Sequence, residues 1–347
     1  MQYFTNHTKL LCFLLIVMAA SVYGCNLVDS LSGEKDEKES THIYPILLNE
    51  QWGYMNAEGS IVIAPSFDEA RDASGHMAAV RTGILWGYVN TDSLKQVIPP
   101  TYTSASAFND GLAPVHAEGK GFGFINKKGD LVIEAQYDFA ASFSEGKAAV
   151  RADGLWGYIN TNGTTIIEPK YSEARPYSEG LAAVESFNGW IYVDASGDEV
   201  IEPSFQLTSA GTFSSGLAPI ETAEGWGYID TSGNTVITPK YDEAASFSEE
   251  RAWVRKDDYI GYIDPDETVI IDPQFSEAKN FSEHLAAVKI HNNWFYINRA
   301  SGLLVITEGH TNAESFNNGL ARVQIGDEEP RFGYINKAGE YIWYPSN

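Results

Sequence analysis

The chain has 347 residues, of which 44% are hydrophobic and 13% aromatic, a composition that is typical of a folded protein and excludes a disordered one. Its formal net charge of −24 repels phosphate backbones and anionic lipid headgroups. Nucleic acid is therefore excluded as a partner, and so is direct electrostatic docking on an anionic membrane.

Residues 1–24 have the pattern of a signal peptide, because one lysine precedes an apolar run that is too short to span a membrane comfortably. The four residues that end at Cys25, Val-Tyr-Gly-Cys, resemble a bacterial lipobox, in which the signal is removed before a cysteine that receives a lipid. We therefore predict an exported protein that is anchored in the cell membrane or an outer membrane by a lipid on Cys25. The alternative is an ordinary secretory signal.

Cys12 and Cys25 are the only cysteines. Since Cys12 lies inside the predicted signal, the mature chain has no pair for a disulfide and must be stabilised by packing alone. Residues 25–41 are polar and charged without apolar periodicity, which predicts a flexible acidic tether behind the lipidated cysteine.

From residue 42 to residue 347 one pattern returns nine times. The repeat anchors are Trp52, Trp86, Phe122, Trp156, Trp190, Trp226, Ile260, Trp294 and Phe332. Successive anchors are 34, 36, 34, 34, 36, 34, 34 and 38 residues apart. This near-constant period indicates a tandem repeat architecture and leaves no room for a separate catalytic domain.

Each unit contains three predicted strands, as in residues 181–184, 190–194 and 199–203. A turn with Asn or Asp first and Gly three residues later, such as Asn160 and Gly163, predicts a tight hairpin between the second and third strands. The third strand is predicted to end at a proline, because proline lacks the N–H that continues a ladder. These prolines are Pro65, Pro169, Pro203, Pro239 and Pro273. The connector to the next unit is predicted to be an ordered loop or a single helical turn.

The recurring segments Trp-Gly-Tyr-Ile-Asn, Val-Ile-x-Pro-x-Tyr and Phe-Ser-Glu-Gly-Leu-Ala-x-Val resemble the bacterial WG-repeat family over roughly residues 43 to 347. Four positions depart from the pattern: Ile191 and Phe295 replace the glycine, Ile260 the tryptophan and Ala73 the connector aromatic. The resemblance implies an interaction or surface module and brings no common enzymatic activity with it.

The predicted fold class is all-β, with three-stranded antiparallel meanders of about 34 residues stacked as an open superhelical array. The alternative is a β-propeller. Propellers typically have about four to eight blades of four strands, whereas the sequence shows nine units with three clear strands each. The alternative stays open because the connector could conceal a fourth strand.

The anchor residues recur at a strict position and are expected to be structural, whereas Trp253 and Trp343 lie outside that position and are better surface candidates. Acids recur in the connectors and could line one side of the array to attract a basic partner. The competing interpretation is a solvated acidic face. The candidate partner surface comprises Asp68, Glu69, Glu173, Asp242, Glu243, Glu277 and Trp253.

Two acidic hairpins, which begin at Asp194 and Asp264, are similar to calcium loops. Both lie at the repeat turn, where the other units have fewer acids, so turn chemistry is the stronger interpretation and no metal or cofactor is predicted. The histidines are scattered over different units without metal-ligand spacing, and no catalytic residue is predicted.

The predicted function is that of a non-enzymatic, membrane-tethered scaffold or protein-interaction surface at the cell envelope. Its protein partner is unidentified, and the connector acids favour a basic one. An envelope carbohydrate-binding module is the alternative, because aromatic rings stack on sugars. A hydrolase built from the repeats is a more remote alternative, since carboxylate pairs are plentiful.

Overall fold

The computed structural model describes residues 42–203, 205–326 and 331–344. The predicted signal peptide, Cys25 and the tether therefore lie outside the described residues. Within those ranges no helix is long and apolar enough to cross a membrane.

The strands of the described ranges form nine separate antiparallel sheets, which we call blades 1 to 9. Blade 1 consists of β1 (Tyr44–Leu48), β2 (Gln51–Met55) and β3 (Ile61–Phe67). Blade 2 consists of β4 (Glu69–Ala70), β5 (Met77–Thr82), β6 (Leu85–Asn90) and β7 (Lys95–Tyr102). Blade 3 consists of β8 (Ser104–Ala105), β9 (Leu112–Ala117), β10 (Gly121–Asn126) and β11 (Leu131–Tyr137). Blade 4 consists of β12 (Phe139–Ala140), β13 (Lys147–Ala152), β14 (Leu155–Asn160) and β15 (Thr165–Tyr171).

The remaining blades follow the same order. Blade 5 consists of β16 (Glu173–Ala174), β17 (Ala182–Ser186), β18 (Gly189–Val193) and β19 (Glu199–Ile201). Blade 6 consists of β20 (Ser209–Ala210), β21 (Leu217–Thr222), β22 (Gly225–Asp230) and β23 (Thr235–Tyr241). Blade 7 consists of β24 (Glu243–Ala244), β25 (Ala252–Lys256), β26 (Tyr259–Ile263) and β27 (Val269–Phe275). Blade 8 consists of β28 (Glu277–Ala278), β29 (Leu285–Ile290), β30 (Asn293–Asn298) and β31 (Leu304–His310). Blade 9 consists of β32 (Asn312–Ala313), β33 (Leu320–Ile325), β34 (Arg331–Asn336) and β35 (Tyr341–Trp343).

The connector contains a fourth strand, so the prediction of a loop or helical turn was wrong. In each of blades 2 to 9 we call the four strands a, b, c and d in chain order, and blade 1 has b, c and d within the described residues. Strand a is only two residues long, as in Glu173 and Ala174, which pair with Glu185 and Val184 of strand b. A strand this short leaves no alternating pattern in the sequence, which is why the pattern did not predict it.

The connection between strands a and b ends in a two-residue turn immediately before strand b. In blade 4 the backbones of Ser144 and Lys147 exchange both hydrogen bonds, at 2.8 and 3.0 Å. Between them Glu145 and Gly146 both have positive φ, 52° and 73°, which is the geometry of a type I′ turn. We call this the ab turn.

The ring of blades is closed, because the last blade packs on the first. The hydroxyl of Tyr334 in blade 9 donates to the carbonyl oxygen of Pro45 in blade 1 at 2.9 Å, and Tyr44 donates to the carbonyl oxygen of Asn318 at 2.5 Å. Met55 belongs to the apolar cluster that fills this seam. The molecule is therefore a nine-bladed β-propeller, which is the alternative architecture, and the preferred open array was wrong.

Strand d continues past its proline in most blades, contrary to prediction. In blade 4 Trp156 pairs with Tyr171 and Tyr158 with Ile167, so strand d carries two extra residues in a bulge. Pro169 lies in that bulge, where no ladder N–H is required. Pro65, Pro239 and Pro273 likewise lie inside their strands, and of the five predicted prolines only Pro203 lies beyond the end of its strand, β19.

The bulge explains the glycine that follows the anchor. A Cβ on Gly157 would lie 2.3 Å from the carbonyl oxygen of Ile167, because the bulged strand d folds directly over strand c. The corresponding distance is between 2.3 and 2.6 Å at Gly53, Gly87, Gly123, Gly227 and Gly261. Two blades have a side chain in place of this glycine. In blade 5, which has Ile191, strand d stops at Ile201. In blade 8, which has Phe295, the strand d residue next to the ring is Gly309, which has no side chain.

The apolar core lies between blades. Trp86 and Tyr88 of blade 2, for example, share one cluster with Phe108, Val115 and Ile125 of blade 3. Each blade has apolar side chains on both faces, and stacking on its two neighbours removes both faces from water. The fold is thus stabilised by contacts between successive repeats.

Candidate functional site

The recurring serine of the ab turn holds neighbouring blades together. The Oγ of Ser144 donates to the carbonyl oxygen of Tyr177 in the next blade at 2.7 Å. The same bond, at 2.6 to 2.8 Å, is made by Ser74, Ser178, Ser214, Ser248 and Ser282. Next to it, Glu145 accepts hydrogen bonds from the backbone N–H groups of Glu179 (2.7 Å) and Gly180 (2.9 Å) in the next ab turn.

The tyrosine two residues after the anchor also forms a hydrogen bond to the next blade. The hydroxyl of Tyr158 donates to the carbonyl oxygen of Arg175 in blade 5 at 2.6 Å. Burial raises the pKa of Tyr158 above its usual value, and the nearby Tyr177 and Tyr171 raise it further, so the hydroxyl keeps its proton and stays a donor. These tyrosines are structural side chains.

The anchors lie on the face of strand c that packs against the following blade. Trp86, Trp190, Ile260 and Trp294 are buried, and the other five anchors are half-buried. Cations cover several of the rings: the guanidinium carbon of Arg71 lies 4.1 Å from the ring centre of Trp86.

Two of the predicted connector acids stabilise the turn between strands b and c, which we call the bc hairpin. Asp68 accepts a hydrogen bond from the backbone N–H of Gly83 at 2.6 Å. Asp242 accepts the corresponding bond from Asp257 at 2.9 Å. Both carboxylates lie at the end of the propeller that carries the bc hairpins, and we call this the hairpin end.

Three other connector acids lie on strand a and pair with a cation directly opposite on strand b. The pairs are Glu69 with Arg81 (3.1 Å), Glu243 with Arg255 (3.0 Å) and Glu277 with Lys289 (2.7 Å). The cations themselves lie close to the anchor ring in blades 2 and 8. We call this arrangement the acid–cation position.

Glu173 differs from the other five predicted connector acids. Within the described residues its carboxylate forms no side-chain hydrogen bond or ion pair. The residue opposite it is Glu185, whose carboxylate accepts a hydrogen bond from the Oγ of Ser172 at 2.8 Å. The acid–cation position of blade 5 therefore holds two carboxylates and no cation.

Blade 4 shows the opposite change. Phe139 replaces the acid on strand a and lies opposite Arg151. Among the described residues the buried Nε of Arg151 has no acceptor, and the contact of its guanidinium is with the ring of Trp156, whose centre lies 5.8 Å away. Blade 4 therefore holds a cation whose carboxylate is missing.

An aromatic cluster lies beside this guanidinium. The ring of Phe139 is 42% exposed and lies between Phe122, at 5.1 Å, and Trp156, at 5.6 Å. At the adjacent bc hairpins Leu155 is 41% exposed and Phe187 fully exposed. The hairpin end of blades 3 to 5 thus combines apolar surface, the guanidinium of Arg151 and the facing carboxylates of Glu173 and Glu185.

Trp253 and Trp343 lie elsewhere. Trp253 is half-buried on β25 and packs against the cluster that contains Ile260 and Phe281. Trp343 is half-buried at the seam between blades 9 and 1, and its buried Nε1 has no acceptor among the residues that the structure describes. Whether either one contacts a partner stays a prediction.

In each acidic hairpin the carboxylate of the first aspartate accepts hydrogen bonds from backbone N–H groups of its own turn. Asp194 accepts hydrogen bonds from the backbone N–H groups of Ser196 (2.8 Å) and Asp198 (3.0 Å). Asn160 accepts the equivalent bonds in blade 4. Within the residues that the structure describes, no group of three or more His, Cys, Asp or Glu side chains could hold a metal ion.

Sequence reasoning did not find the cavity of about 470 Å³ between blades 5 and 6. It is lined by Phe205 and Gln206 from the segment after the shortened β19, and by Thr222 and Pro239 of blade 6. The sequence signal for it is Ile191, which replaces the glycine of strand c in the blade whose strand d stops at Ile201.

The closed ring of antiparallel blades and the hydrogen bonds between successive repeats define a repeat β-propeller protein. The model of the family described as WG containing repeat matches residues 52–83, 86–120, 122–156, 156–189, 190–223, 226–259, 260–294 and 311–328. The chain belongs to this family.

Solved structures support the fold alone, because they share little sequence with this chain. A structure titled as the eukaryotic initiation factor is similar with a TM-score of 0.65 and 12% identity, over 87% of this chain and 95% of that one. The computationally designed Ika8 protein is similar with a TM-score of 0.50 and 12% identity, over 78% and 94%. The comparison with curated proteins found no match.

Proposed function

We propose that the protein is a non-enzymatic scaffold that binds a protein partner at the cell envelope. The observation that carries this proposal is that two groups of side chains make different contacts. Those that recur, such as Ser144, Glu145 and Tyr158, bond to the next blade. Those that lack the partner found in other blades, Arg151 opposite Phe139 and Glu173 opposite Glu185, lie on adjacent blades at the hairpin end.

The first experiment tests whether the partner is a protein or a polysaccharide. The mature chain with Cys25→Ser, immobilised and incubated with an envelope extract, is expected to retain a protein that protease treatment removes. Retention should weaken as salt rises, because the scaffold is strongly acidic. Recovery of protease-resistant polysaccharide instead would overturn the proposal in favour of a carbohydrate-binding module.

The envelope location rests on Cys25, which lies outside the described residues. Replacing it by serine removes the thiol that would carry the lipid, and we expect the protein to move from the membrane fraction to the soluble fraction. Cys12→Ser is the matched control, since it also removes a thiol but should leave the protein in the membrane fraction. Retention of the Cys25→Ser chain in membranes would contradict lipid anchoring.

A further inference from the structure

We propose that the hairpin end of blades 3 to 5 is the docking site of this scaffold, and that the partner places one carboxylate against Arg151. The partner segment carries apolar side chains beside that carboxylate and is otherwise basic. This inference rests on the proposed function and names the site and the partner chemistry.

The other blades show where the carboxylate belongs. In blades 2, 7 and 8 a glutamate of strand a lies 2.7 to 3.1 Å from the cation on strand b. Blade 4 keeps the cation, Arg151, and replaces the glutamate by Phe139. A guanidinium that is partly removed from water and has no anionic partner is costly to the folded protein. Because its Nε is buried, a carboxylate supplied by another molecule would pair with the terminal nitrogens of this guanidinium.

The surroundings of Arg151 favour a protein segment as the source. The exposed ring of Phe139 and its neighbours Phe122 and Trp156 form an apolar surface beside the guanidinium. Leu155 on the same blade extends it at the bc hairpin. Arginine beside large aromatic side chains is the composition at which protein interfaces concentrate their binding energy.

The charges of blade 5 determine what else the partner must carry. Glu173 and Glu185 face each other across strands a and b with no cation between them. The chain as a whole carries −24, so a uniformly acidic partner would be repelled. One carboxylate on a basic segment is therefore the charge pattern that complements this surface.

The experiment uses a phage-displayed library of random dodecapeptides as the probe. The library is selected on the mature Cys25→Ser chain, with an excess of the same chain carrying Phe139→Glu as a soluble competitor. Phe139→Glu gives blade 4 the acid that blades 2 and 7 already have, so it should fold normally and pair with Arg151 internally. Selected peptides are expected to contain an Asp or Glu beside apolar residues, together with Lys or Arg.

Synthetic versions of the selected peptides then report on Arg151 itself. Both Arg151→Met and Phe139→Glu should weaken binding by about tenfold or more, as measured by fluorescence anisotropy. Arg255→Met in blade 7 is the matched control, because it removes a cation from the same position of another blade and should leave binding unchanged. Thermal unfolding of each variant checks that the propeller is intact.

Selected peptides without an acid, or equal binding by the parent chain and the two blade 4 variants, would overturn this site. If the Phe139→Glu chain still retains the envelope protein, the site is wrong and the proposed function stands. If neither chain retains a protein from the envelope, the proposed function fails as well.

An acidic glycan is a separate outcome. If a polyuronate competes for Arg151 and no peptide binds, the site belongs to an acidic glycan, and the proposal of a protein segment is overturned.

Discussion

At the scale of single residues, the recurring side chains are explained by contacts with another strand or another blade. Gly157 is the clearest example, since the carbonyl oxygen of Ile167 lies where its Cβ would be. Arg151 is the informative exception, because the repeat supplies its cation but not the acid. A residue is thus structural when its partner recurs with it, and a candidate for binding when its partner is missing.

Gly157→Ala tests this explanation of the glycine. The added methyl group would be placed 2.3 Å from the carbonyl oxygen of Ile167, which forces the bulged strand d away from strand c. We expect the free energy of unfolding to fall by about 1 to 3 kcal/mol, as measured by urea denaturation. The neighbouring Leu155→Ala, at a partly exposed position, should change it by less than about 0.5 kcal/mol. An unchanged stability for Gly157→Ala would show that strand d does not cover this glycine.

At the scale of the strands, the end of strand d is set by its pairing with the anchor. Tyr171 ends β15 opposite Trp156, and Phe275 ends β27 opposite Ile260. In blade 8 this place is taken by His310, opposite Trp294. His310 is 1% exposed, and within the described part of the chain its buried Nε2 has no hydrogen-bond partner.

His310 should make the stability of the protein depend on pH. Burial lowers the pKa of His310 below its usual 6.5, although nearby Glu308 opposes the shift. The unfolded chain therefore takes up the proton first, and stability that is present above about pH 6.5 is lost as the pH falls towards the lower pKa of the folded state. His310→Phe, which copies Phe275 of blade 7, should reduce the loss of unfolding free energy between about pH 7.5 and pH 5.

Urea denaturation at both pH values measures this difference. His291→Gln serves as the control, because it removes an imidazole from an exposed position. If His310→Phe loses as much stability on acidification as the parent chain does, the imidazole of His310 is not the group responsible.

At the scale of the whole molecule, closure of the ring means that blade 1 and blade 9 each have a neighbour on both sides. Most of the interblade bonds repeat a contact between successive units, whereas the bond from Tyr334 to Pro45 joins residues 289 positions apart. In an open array those two faces would be exposed to water. The seam is therefore the place where closed and open architectures give different results.

Tyr334→Phe tests the seam. The substitution leaves the buried carbonyl oxygen of Pro45 without its donor, and we expect a loss of about 1 to 3 kcal/mol in the free energy of unfolding. Amide hydrogen exchange should accelerate first in β1. The ring itself is compatible with this position, since Phe124 occupies it in blade 3. Unchanged exchange in β1 would contradict the closed ring.

The sequence by itself determined the period, the all-β class, the three longer strands and the hairpin turns, because these depend on spacings within about 34 residues. Only the tertiary structure decided ring closure, the two-residue strand a and the bulge at Pro169. It also showed that the carboxylates of Glu69, Glu243 and Glu277 are paired, whereas that of Glu173 is not. The physical reason is that closure and pairing depend on which side chains meet across strands and blades, and one strand's sequence does not contain that information.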